Sequence, residues 1–372
     1  MALIWFMTAM NKLFIVDIEP LDNRYTAQWR LAIPNLAVDI LGNEHKVIQI
    51  SGYSEGYENP KEGAFFDFAA TCEYKASQAE QIARLFQSGK VSAGDVFFFT
   101  DAWNQTIHTV KYISELNQIP VKIAGIWHAG YYDPTDILGF TIKNHEWVSA
   151  LERSLYAALD MSFFGTQQHA DKFFDRYDVD KSKHRVCGYP LDYLAHLKNN
   201  TAKEDIVVFP HRLNEDKAPY IFDQIAEAVQ RDDIVFVKTQ EMNLSKAKYY
   251  ELLQKSKVVF SANKHENLGI GTFEAMMAGC IPVVPKKLSY AEMYGEDFTY
   301  EIFENEEEYI YNPKKNGPFI ALMAKIITNR VDYYHTFEQQ RSATADSIMS
   351  KYFTGTEMMQ HIKSLFTENQ DV

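Results

Sequence analysis

The chain has 372 residues, of which 46% are hydrophobic and 14% aromatic, so it contains ample material for more than one buried core. A length of this size predicts two domains more readily than one. The formal net charge of −13 disfavours a protein coated in basic surface for binding polyanions, although it is compatible with a local basic groove.

Cysteine usage and the first residues bear on the cellular compartment. Cys72, Cys187 and Cys280 are an odd number at no metal-binding spacing, so we expect a reduced, cytoplasmic protein. The first ten residues, MALIWFMTAM, are too short for a transmembrane segment, which needs about 20 apolar residues, and they lack the basic start of a signal peptide. We expect a non-native or misassigned start, with Met7 or Met10 as the true one; a peripheral membrane anchor is the alternative.

The first half of the chain alternates apolar strand patterns with helical patterns. The predicted strands are 13–19, 45–51, 95–100, 121–128, 161–165 and 184–188. The predicted helices are 25–41 with a possible interruption at Pro34, 76–88, 104–117, 144–159 and 167–177. Apolar strands in this alternation predict a parallel sheet covered by helices on both faces.

The same rhythm restarts after a polar segment at 189–205. Strands are predicted at 205–210, 233–239, 257–262 and 280–285, helices at 217–230, 245–256 and 272–278, and a mostly helical tail follows. The predicted fold is therefore α/β with two Rossmann-like domains, 1–189 and 190–345, and a helical tail at 346–372 that could pack back on the first domain. Ligands in such folds lie beyond the carboxyl ends of the strands, so we expect a site in the cleft between the domains.

The stretch HENLGIGTFEAMMAGCIPVVP (265–285) places two glutamates around a glycine turn. Glu266 lies in the loop after a strand, and Glu274 lies in the first turn of the next helix. Glycines let backbone N–H groups approach a ligand, and a helix N-terminus attracts phosphate. A ligand with phosphates and sugar hydroxyls would suit the stretch, but an acidic helix start without any ligand explains it equally well.

A second stretch, VVFPHRLNEDKAP (207–219), follows the first strand of the second domain. Arg212 and Lys217 come just after the strand end, five positions apart. They should emerge on the same sheet edge as the two glutamates, where a guanidinium and an ammonium group could hold a diphosphate. Taken alone, this stretch is more often a solvated charged loop.

Together the two stretches resemble the retaining glycosyltransferases of the GT-B fold, family 4 in particular. That family has a glycine–arginine–leucine turn with a lysine five residues after the arginine, here HRLNEDK, and two glutamates separated by seven residues, here ENLGIGTFE. An alanine–methionine–glycine helix and a proline–valine strand follow, here AMMAGCIPVVP, and VCGYPLD (186–192) resembles the family's interdomain crossing. PKKLSYAEMY (285–294) resembles a segment of glycosyltransferases that act on queuosine in tRNA and of some phage-encoded relatives.

The resemblance implies a role for each matching residue. Arg212 and Lys217 would hold the donor diphosphate, Glu266 would contact the transferred sugar, and Glu274 would bind the nucleotide ribose. Backbone N–H groups of Asn267, Leu268 and Gly269 would complete the cradle. The donor would be a nucleotide-diphosphate sugar, with no cofactor and no metal.

The first domain supplies further candidates. The family often has a sugar-contacting histidine at the strand end where this chain has His128, and a structural histidine beside Trp127 is the alternative. Asp101, at another strand end, faces the cleft or, as we favour, caps the next helix.

The family's paired-glycine first loop is replaced here by glycine-free IEPLDNRYTAQW (18–29). Asp22, Asn23, Arg24 and Tyr25 occupy that place, which suggests a specialised acceptor. Arg24 and Arg30 with Tyr25 and Trp29 could hold a phosphate and stack on a base, although a helix start with a solvated face is the favoured interpretation.

The sequence thus predicts sugar transfer with retention from a nucleotide-diphosphate donor to an acceptor hydroxyl. We favour a hydroxymethylated base in phage DNA as the acceptor, in which case the enzyme would act in the host cytoplasm. A polysaccharide or lipid-linked acceptor, and a non-catalytic nucleotide-sugar-binding protein, are the alternatives. Walker, HExxH, GxSxG and GxGxxG motifs are absent from the expected positions, and the oligomeric state stays open.

Overall fold

A computed structural model describes residues 10–21, 24–54, 67–302 and 305–367. The expectation about the first nine residues, and Asp22 and Asn23 of the first loop, lie outside these ranges. Contacts divide the chain into two units. Unit 1 consists of Met1–Phe164, Lys172–Leu191 and Gly355–Val372, and unit 2 of Gly165–Asp171 and Asp192–Thr354.

Up to residue 191 the chain alternates strands and helices. In chain order the elements are β1 (Lys12–Val16), α1 (Tyr25–Leu41), β2 (Lys46–Ile50), α2 (Phe68–Gln87), β3 (Val96–Phe99), α3 (Thr106–Leu116), β4 (Lys122–Ile126), α4 (Ile137–Thr141), α5 (His145–Ala158), β5 (Met161–Phe164), α6 (Gln167–Arg176) and β6 (His184–Val186). The strands form one parallel sheet in the order β2-β1-β3-β4-β5-β6.

The central strands of this sheet are buried because both of their faces carry apolar side chains. All four residues of β3 are buried, and Phe97 stacks on Phe14 of β1 with ring centroids 4.7 Å apart. A parallel strand covered on both faces needs such an apolar run. The apolar runs of the sequence therefore predict these strands correctly.

Two helices of unit 1 differ from the sequence expectation. The possible interruption at Pro34 is absent, because α1 runs unbroken from Tyr25 to Leu41. Proline cannot donate to the carbonyl four residues earlier, and that carbonyl, of Arg30, accepts instead from Gln49 Nε2 at 3.1 Å. Helix α2 begins at Phe68, eight residues before the predicted start, since the Asp67 carboxylate caps it by accepting two backbone N–H bonds.

From residue 192 the chain builds a second parallel sheet. Its elements are β7 (Glu204–Phe209), α7 (Pro219–Val229), β8 (Val235–Lys238), α8 (Lys246–Lys255), β9 (Ser256–Phe260), α9 (Ile270–Met277), β10 (Ile281–Pro285), α10 (Leu288–Met293), β11 (Thr299–Tyr300), α11 (Glu306–Tyr309), α12 (Gly317–Asp332), α13 (Tyr334–Tyr352) and α14 (Thr356–Thr367). The strand order is β11-β10-β9-β7-β8.

This order creates a crevice at one point of the second sheet. The chain leaves β7 for β8 on one side and later returns to β9 on the other side of β7. At such a switch point the two following loops diverge beyond the carboxyl ends of adjacent strands, and ligands of open α/β sheets bind there. The stretches 207–219 and 265–285 follow these two strands.

Apolar helices complete both units. In unit 2, Phe222 and Ile225 of α7 pack with Phe319, Met323 and Ile327 of α12 in one buried cluster. The last helix, α14, belongs to unit 1, where it packs on α1, β3 and β4. Within the described ranges, no helix combines the length and apolar character needed to cross a membrane.

Candidate functional site

The loop after β7 carries Lys217 into the interior of unit 2. Residues Glu215–Lys217 form one 3₁₀ turn, Ala218 adopts a left-handed conformation (φ 48°), and Pro219 starts α7. Lys217 is buried as a result. Its Nζ donates to the carbonyl of His265 and lies 3.3 Å from Glu266 Oε2. The predicted meeting of the two stretches therefore occurs at this lysine.

The loop after β9 depends on a glycine at the start of α9. Gly269 has φ 71°, and a Cβ atom there would come within 2.8 Å of the Tyr290 ring. Gly271, the second residue of the helix, lies so close to the loop after β7 that a Cβ would sit 3.0 Å from the carbonyl oxygen of Pro210. Gly269 is also the N-cap residue of α9, so the cap residue itself offers no side chain to the first N–H groups of the helix.

Glu266 is an ionised carboxylate held by Lys217, Asn263 and backbone N–H groups. Its Oε2 accepts from Lys217 and from Asn263 Nδ2 at 3.1 Å, and its Oε1 accepts from the backbone N–H of Asn267 at 3.2 Å. Burial raises the pKa of Glu266, but the nearby Lys217 ammonium and the other neighbours outweigh burial and lower that pKa to about 2.

Arg212 is placed at the edge of the same loop. Its side chain is 34% exposed, and Nη2 lies 3.6 Å from Asp216 Oδ2, the oxygen that also lies 3.6 Å from Lys217 Nζ. The two predicted cations, Arg212 and Lys217, therefore both lie near the carboxylate of Asp216, beside Glu266. Leu268, from the predicted cradle, is buried.

Glu274 is held by α8 instead of by the two cations. Its Oε1 accepts from Lys246 Nζ at 2.7 Å and from Tyr250 OH at 3.0 Å, and its Oε2 accepts from Tyr249 OH at 3.0 Å. The carboxylate is almost fully buried, and the Lys246 ammonium lies 5.0 and 4.6 Å from the centroids of the two tyrosine rings. Sequence reasoning did not single out this group of α8 residues, because nothing in KAKYYELLQK marks it as more than an amphipathic helix.

Two buried residues beside Glu266 were also missed. His211 follows β7 and packs its ring edge-on against Phe209, with centroids 4.9 Å apart. Burial, and then the Lys217 charge, lower the pKa of His211 to about 3. Asn263 Nδ2 lies 3.5 Å from His211 Nδ1 and 3.1 Å from the Tyr290 hydroxyl. A signal was available, because histidine stands where the resembled motif has glycine.

In unit 1, His128 is tied into the interior through both ring nitrogens. Its Nε2 donates to the Thr100 carbonyl at 2.7 Å, which leaves Nδ1 to accept from Tyr25 OH at 2.8 Å. Burial lowers its pKa. The Trp29 and Tyr189 rings pack against it at 5.3 and 4.9 Å. These bonds match the structural alternative, and a sugar contact at His128 stays a prediction.

The other candidates of unit 1 differ from expectation. Asp101 does not cap α3, since it pairs with Lys75 at 2.8 Å and Asn104 instead accepts from the first N–H of that helix. Trp29 is 2% exposed, so it belongs to the core of unit 1 and neither stacks on a base nor lines a solvated face. Over the described ranges, no group of three or more His, Cys, Asp or Glu side chains is arranged to hold a metal ion.

Comparisons with known proteins agree with the two-sheet architecture. No protein-family model matches the chain. A tRNA-queuosine alpha-mannosyltransferase of Drosophila melanogaster is 24% identical over 249 residues, which cover 52% of this chain and 64% of that protein, less than two thirds of its length.

Two solved structures match almost the whole chain. The sucrose-phosphate synthase of Thermosynechococcus elongatus has a TM-score of 0.63 at 12% identity and covers 96% of this chain and 98% of its own. The catalytic domain of starch synthase IV from Arabidopsis thaliana, bound to ADP and acarbose, has a TM-score of 0.59 at 10% identity and covers 96% and 99%. At these identities the likeness shows the fold alone. The chain therefore has the two parallel-sheet α/β units of the GT-B fold.

Proposed function

We propose that this protein is a glycosyltransferase that moves a sugar from a nucleotide diphosphate to an acceptor hydroxyl with retention of configuration. The observation that carries the proposal is the junction of Lys217 and Glu266 at the switch point between β7 and β9. Open α/β sheets bind ligands at this point, and a cation beside an acceptor-only carboxylate offers complementary partners to a diphosphate and to sugar hydroxyls. The GT-B fold and the queuosine mannosyltransferase relative support the same class.

The two cations would act on the leaving group. As the bond from the sugar to the diphosphate breaks, negative charge grows on the phosphate oxygen. Lys217 and Arg212 would stabilise it, and the N-terminus of α9 would contribute a partial positive charge. In the free protein, Lys217 is neutralised by Glu266 and Arg212 by Asp216, so a bound diphosphate would compete for cations that are already positioned.

The two glutamates would hold the sugar and the ribose. Glu266, ionised because its pKa lies near 2, accepts hydrogen bonds from hydroxyls of the transferred sugar. Glu274 would accept from the ribose. Its Oε2 receives one tyrosine hydroxyl, so a second lone-pair site on that oxygen can accept a further donor. The backbone N–H groups of Asn267 and Gly269 donate to Glu266 itself, so they would hold its carboxylate in place for the sugar.

The acceptor we propose is a hydroxyl on a modified nucleobase, for example a hydroxymethylated pyrimidine of phage DNA. Two observations favour it: the relative acts, by its name, on queuosine in tRNA, and the glycine-free first loop departs from the resembled family. A base must be reached or flipped out before its hydroxyl can react. A polysaccharide or a lipid-linked sugar is the second candidate.

The deciding experiment pairs donors with acceptors. The purified protein is incubated with UDP-, GDP- and ADP-hexoses and with hydroxymethylated DNA, tRNA or oligosaccharide, and the digested nucleosides and glycans are weighed by mass spectrometry. A nucleoside heavier by one hexose supports the proposal, and the product's anomeric configuration by NMR tests retention. Nucleotide-sugar binding without turnover on any acceptor would identify a non-catalytic binding protein, and no binding at all would refute a nucleotide-sugar site.

A further inference from the structure

Two buried polar atoms beside Glu266 have no hydrogen-bond partner among the described residues. They are His211 Nε2 and Asn263 Oδ1. The two residues are 6% and 0% exposed, respectively. Native proteins pair nearly all buried polar atoms, so two such atoms on side chains that contact each other require an explanation. A ligand or a trapped water must meet them.

His211 and Asn263 lie on the two loops that form the candidate site. His211 follows β7, Asn263 follows β9, and Asn263 Nδ2 donates to Glu266 Oε2 at 3.1 Å. A carboxylate only accepts hydrogen bonds, so the amide nitrogen must be the atom that faces Glu266. Oδ1 is therefore the unpaired atom of Asn263, and it can only accept.

The hydrogen-bonding character of the two unpaired atoms indicates which chemical group would bind them. Asn263 Oδ1 needs a donor, and an ionised diphosphate has none. His211 stays neutral at neutral pH, so its Nε2 either donates or accepts according to tautomer, and a hydroxyl satisfies both cases. A sugar carries several hydroxyls, and Glu266, which accepts from Asn263, is the proposed sugar contact, so hydroxyls of the same sugar are the groups that would meet the two unpaired atoms.

We propose that His211 and Asn263 form a subsite that binds hydroxyls of the transferred sugar and contributes to the choice of that sugar. This inference rests on the proposed glycosyl transfer. The resembled motif has glycine at the position of His211, so the ring is a feature of this chain and not of the motif.

The test separates the sugar from the nucleotide. Calorimetry first identifies which of UDP, GDP and ADP, and which of their hexose derivatives, bind the wild-type protein. His211→Asn retains an amide near the Nδ1 position but removes Nε2, whereas His211→Gln reaches towards Nε2. We expect His211→Asn to weaken binding of the nucleotide sugar about tenfold and to leave the nucleoside diphosphate within about twofold of wild type. His211→Gln should recover most of that loss.

A matched control lies in unit 1. His45, which is partly buried, also has an unpaired ring nitrogen, Nδ1, among the described residues, but it stacks on Phe366 outside the candidate site. His45→Asn should change neither affinity. Equal weakening of nucleotide and nucleotide sugar by His211→Asn would show that the ring only supports the Lys217 loop, and no weakening would show that water meets Nε2. Either result overturns the subsite.

A wild-type measurement keeps the inference testable if the variants misfold. Monodeoxy derivatives of the bound nucleotide sugar each remove one hydroxyl, and at least one should bind wild-type protein about tenfold more weakly than the parent. If every derivative binds like the parent, the subsite is wrong although nucleotide binding persists. If wild-type protein binds neither nucleotide nor nucleotide sugar, the proposed function itself fails.

Discussion

Replacing Lys217 by methionine tests the central contact of the candidate site. Methionine has a similar length but no charge and no donor, so Lys217→Met removes the ammonium that lies 3.3 Å from Glu266 Oε2 and donates to the His265 carbonyl. The two side chains are only 6% and 19% exposed, so water screens their interaction weakly.

The expected loss of stability follows from the carboxylate. The pKa of Glu266 is about 2, against an ordinary 4.5, and this difference corresponds to about 3 kcal/mol in favour of the ionised form. Lys217 is its largest favourable cause. Removing one partner of a buried pair costs about 3–5 kcal/mol. We therefore expect Lys217→Met to lower the unfolding free energy of unit 2 by about 3 kcal/mol at pH 7.

The pH dependence has a defined sign. Because the folded-state pKa is depressed, the Glu266 contribution is fully present above about pH 4.5 and is lost as the pH falls towards 2. In Lys217→Met, Glu266 keeps the burial that raises its pKa but loses the main cause that lowers it. The variant should therefore show much less loss of stability over this pH interval than the wild type.

Hydrogen–deuterium exchange is the suitable assay because it resolves the two units. A loss of about 3 kcal/mol accelerates exchange of the slowest β7 and β9 amides about 10²-fold. The tryptophans among the described residues, Trp29, Trp103, Trp127 and Trp147, belong to unit 1, so their fluorescence follows the unfolding of that unit separately. The double variant Lys217→Met/Glu266→Gln should recover about 1–2 kcal/mol, since it no longer buries an unpaired charge.

Two results would refute the reasoning. If β7 and β9 exchange at the wild-type rate in Lys217→Met, the contact carries no stability. If the double variant is no more stable than the single one, the loss comes from packing and not from an unpaired carboxylate. Transfer activity should meanwhile fall about 10²–10³-fold in both variants, because neither retains the ammonium at the diphosphate.

Three further predictions concern the same site. Glu274→Gln should weaken nucleoside-diphosphate binding at least about tenfold by calorimetry, because hydrogen bonds to a charged acceptor are strong, whereas Glu251→Gln on exposed α8 surface should not. Arg212→Ala should lower kcat about 10²–10³-fold, while its unfolding free energy stays within about 0.5 kcal/mol of wild type. The control Arg84→Ala, at an exposed arginine, should retain the full rate. Full activity of the purified Arg212→Ala variant would show that Arg212 is not part of the site. Because the pKa of His211 is about 3, kcat/KM should show no ionisation step of this ring between pH 5 and 8, and a step near 6.5 that disappears in His211→Gln would contradict a neutral ring.

The sequence determined the α/β class and the positions of the two loops that form the candidate site. Apolar runs such as VFFF of β3 are local signals for buried strands, and the order of strands and helices along the chain implies parallel sheets. The predicted two-domain α/β architecture is confirmed on that basis. Parallel strands present their carboxyl ends at one edge, so the meeting of Lys217 with the Glu266 loop also followed from chain order.

Only the tertiary structure decided which partners the buried polar side chains have. Glu274 is held by Lys246 from 28 positions away, and His128 by Tyr25 from 103 positions away. The carbonyl freed by Pro34 is satisfied by Gln49 of β2, which no local pattern predicts. A buried polar atom takes whichever partner the packing of distant elements brings within about 3 Å. Local sequence therefore specifies where such groups lie along an element, and only the packed fold specifies what they bind.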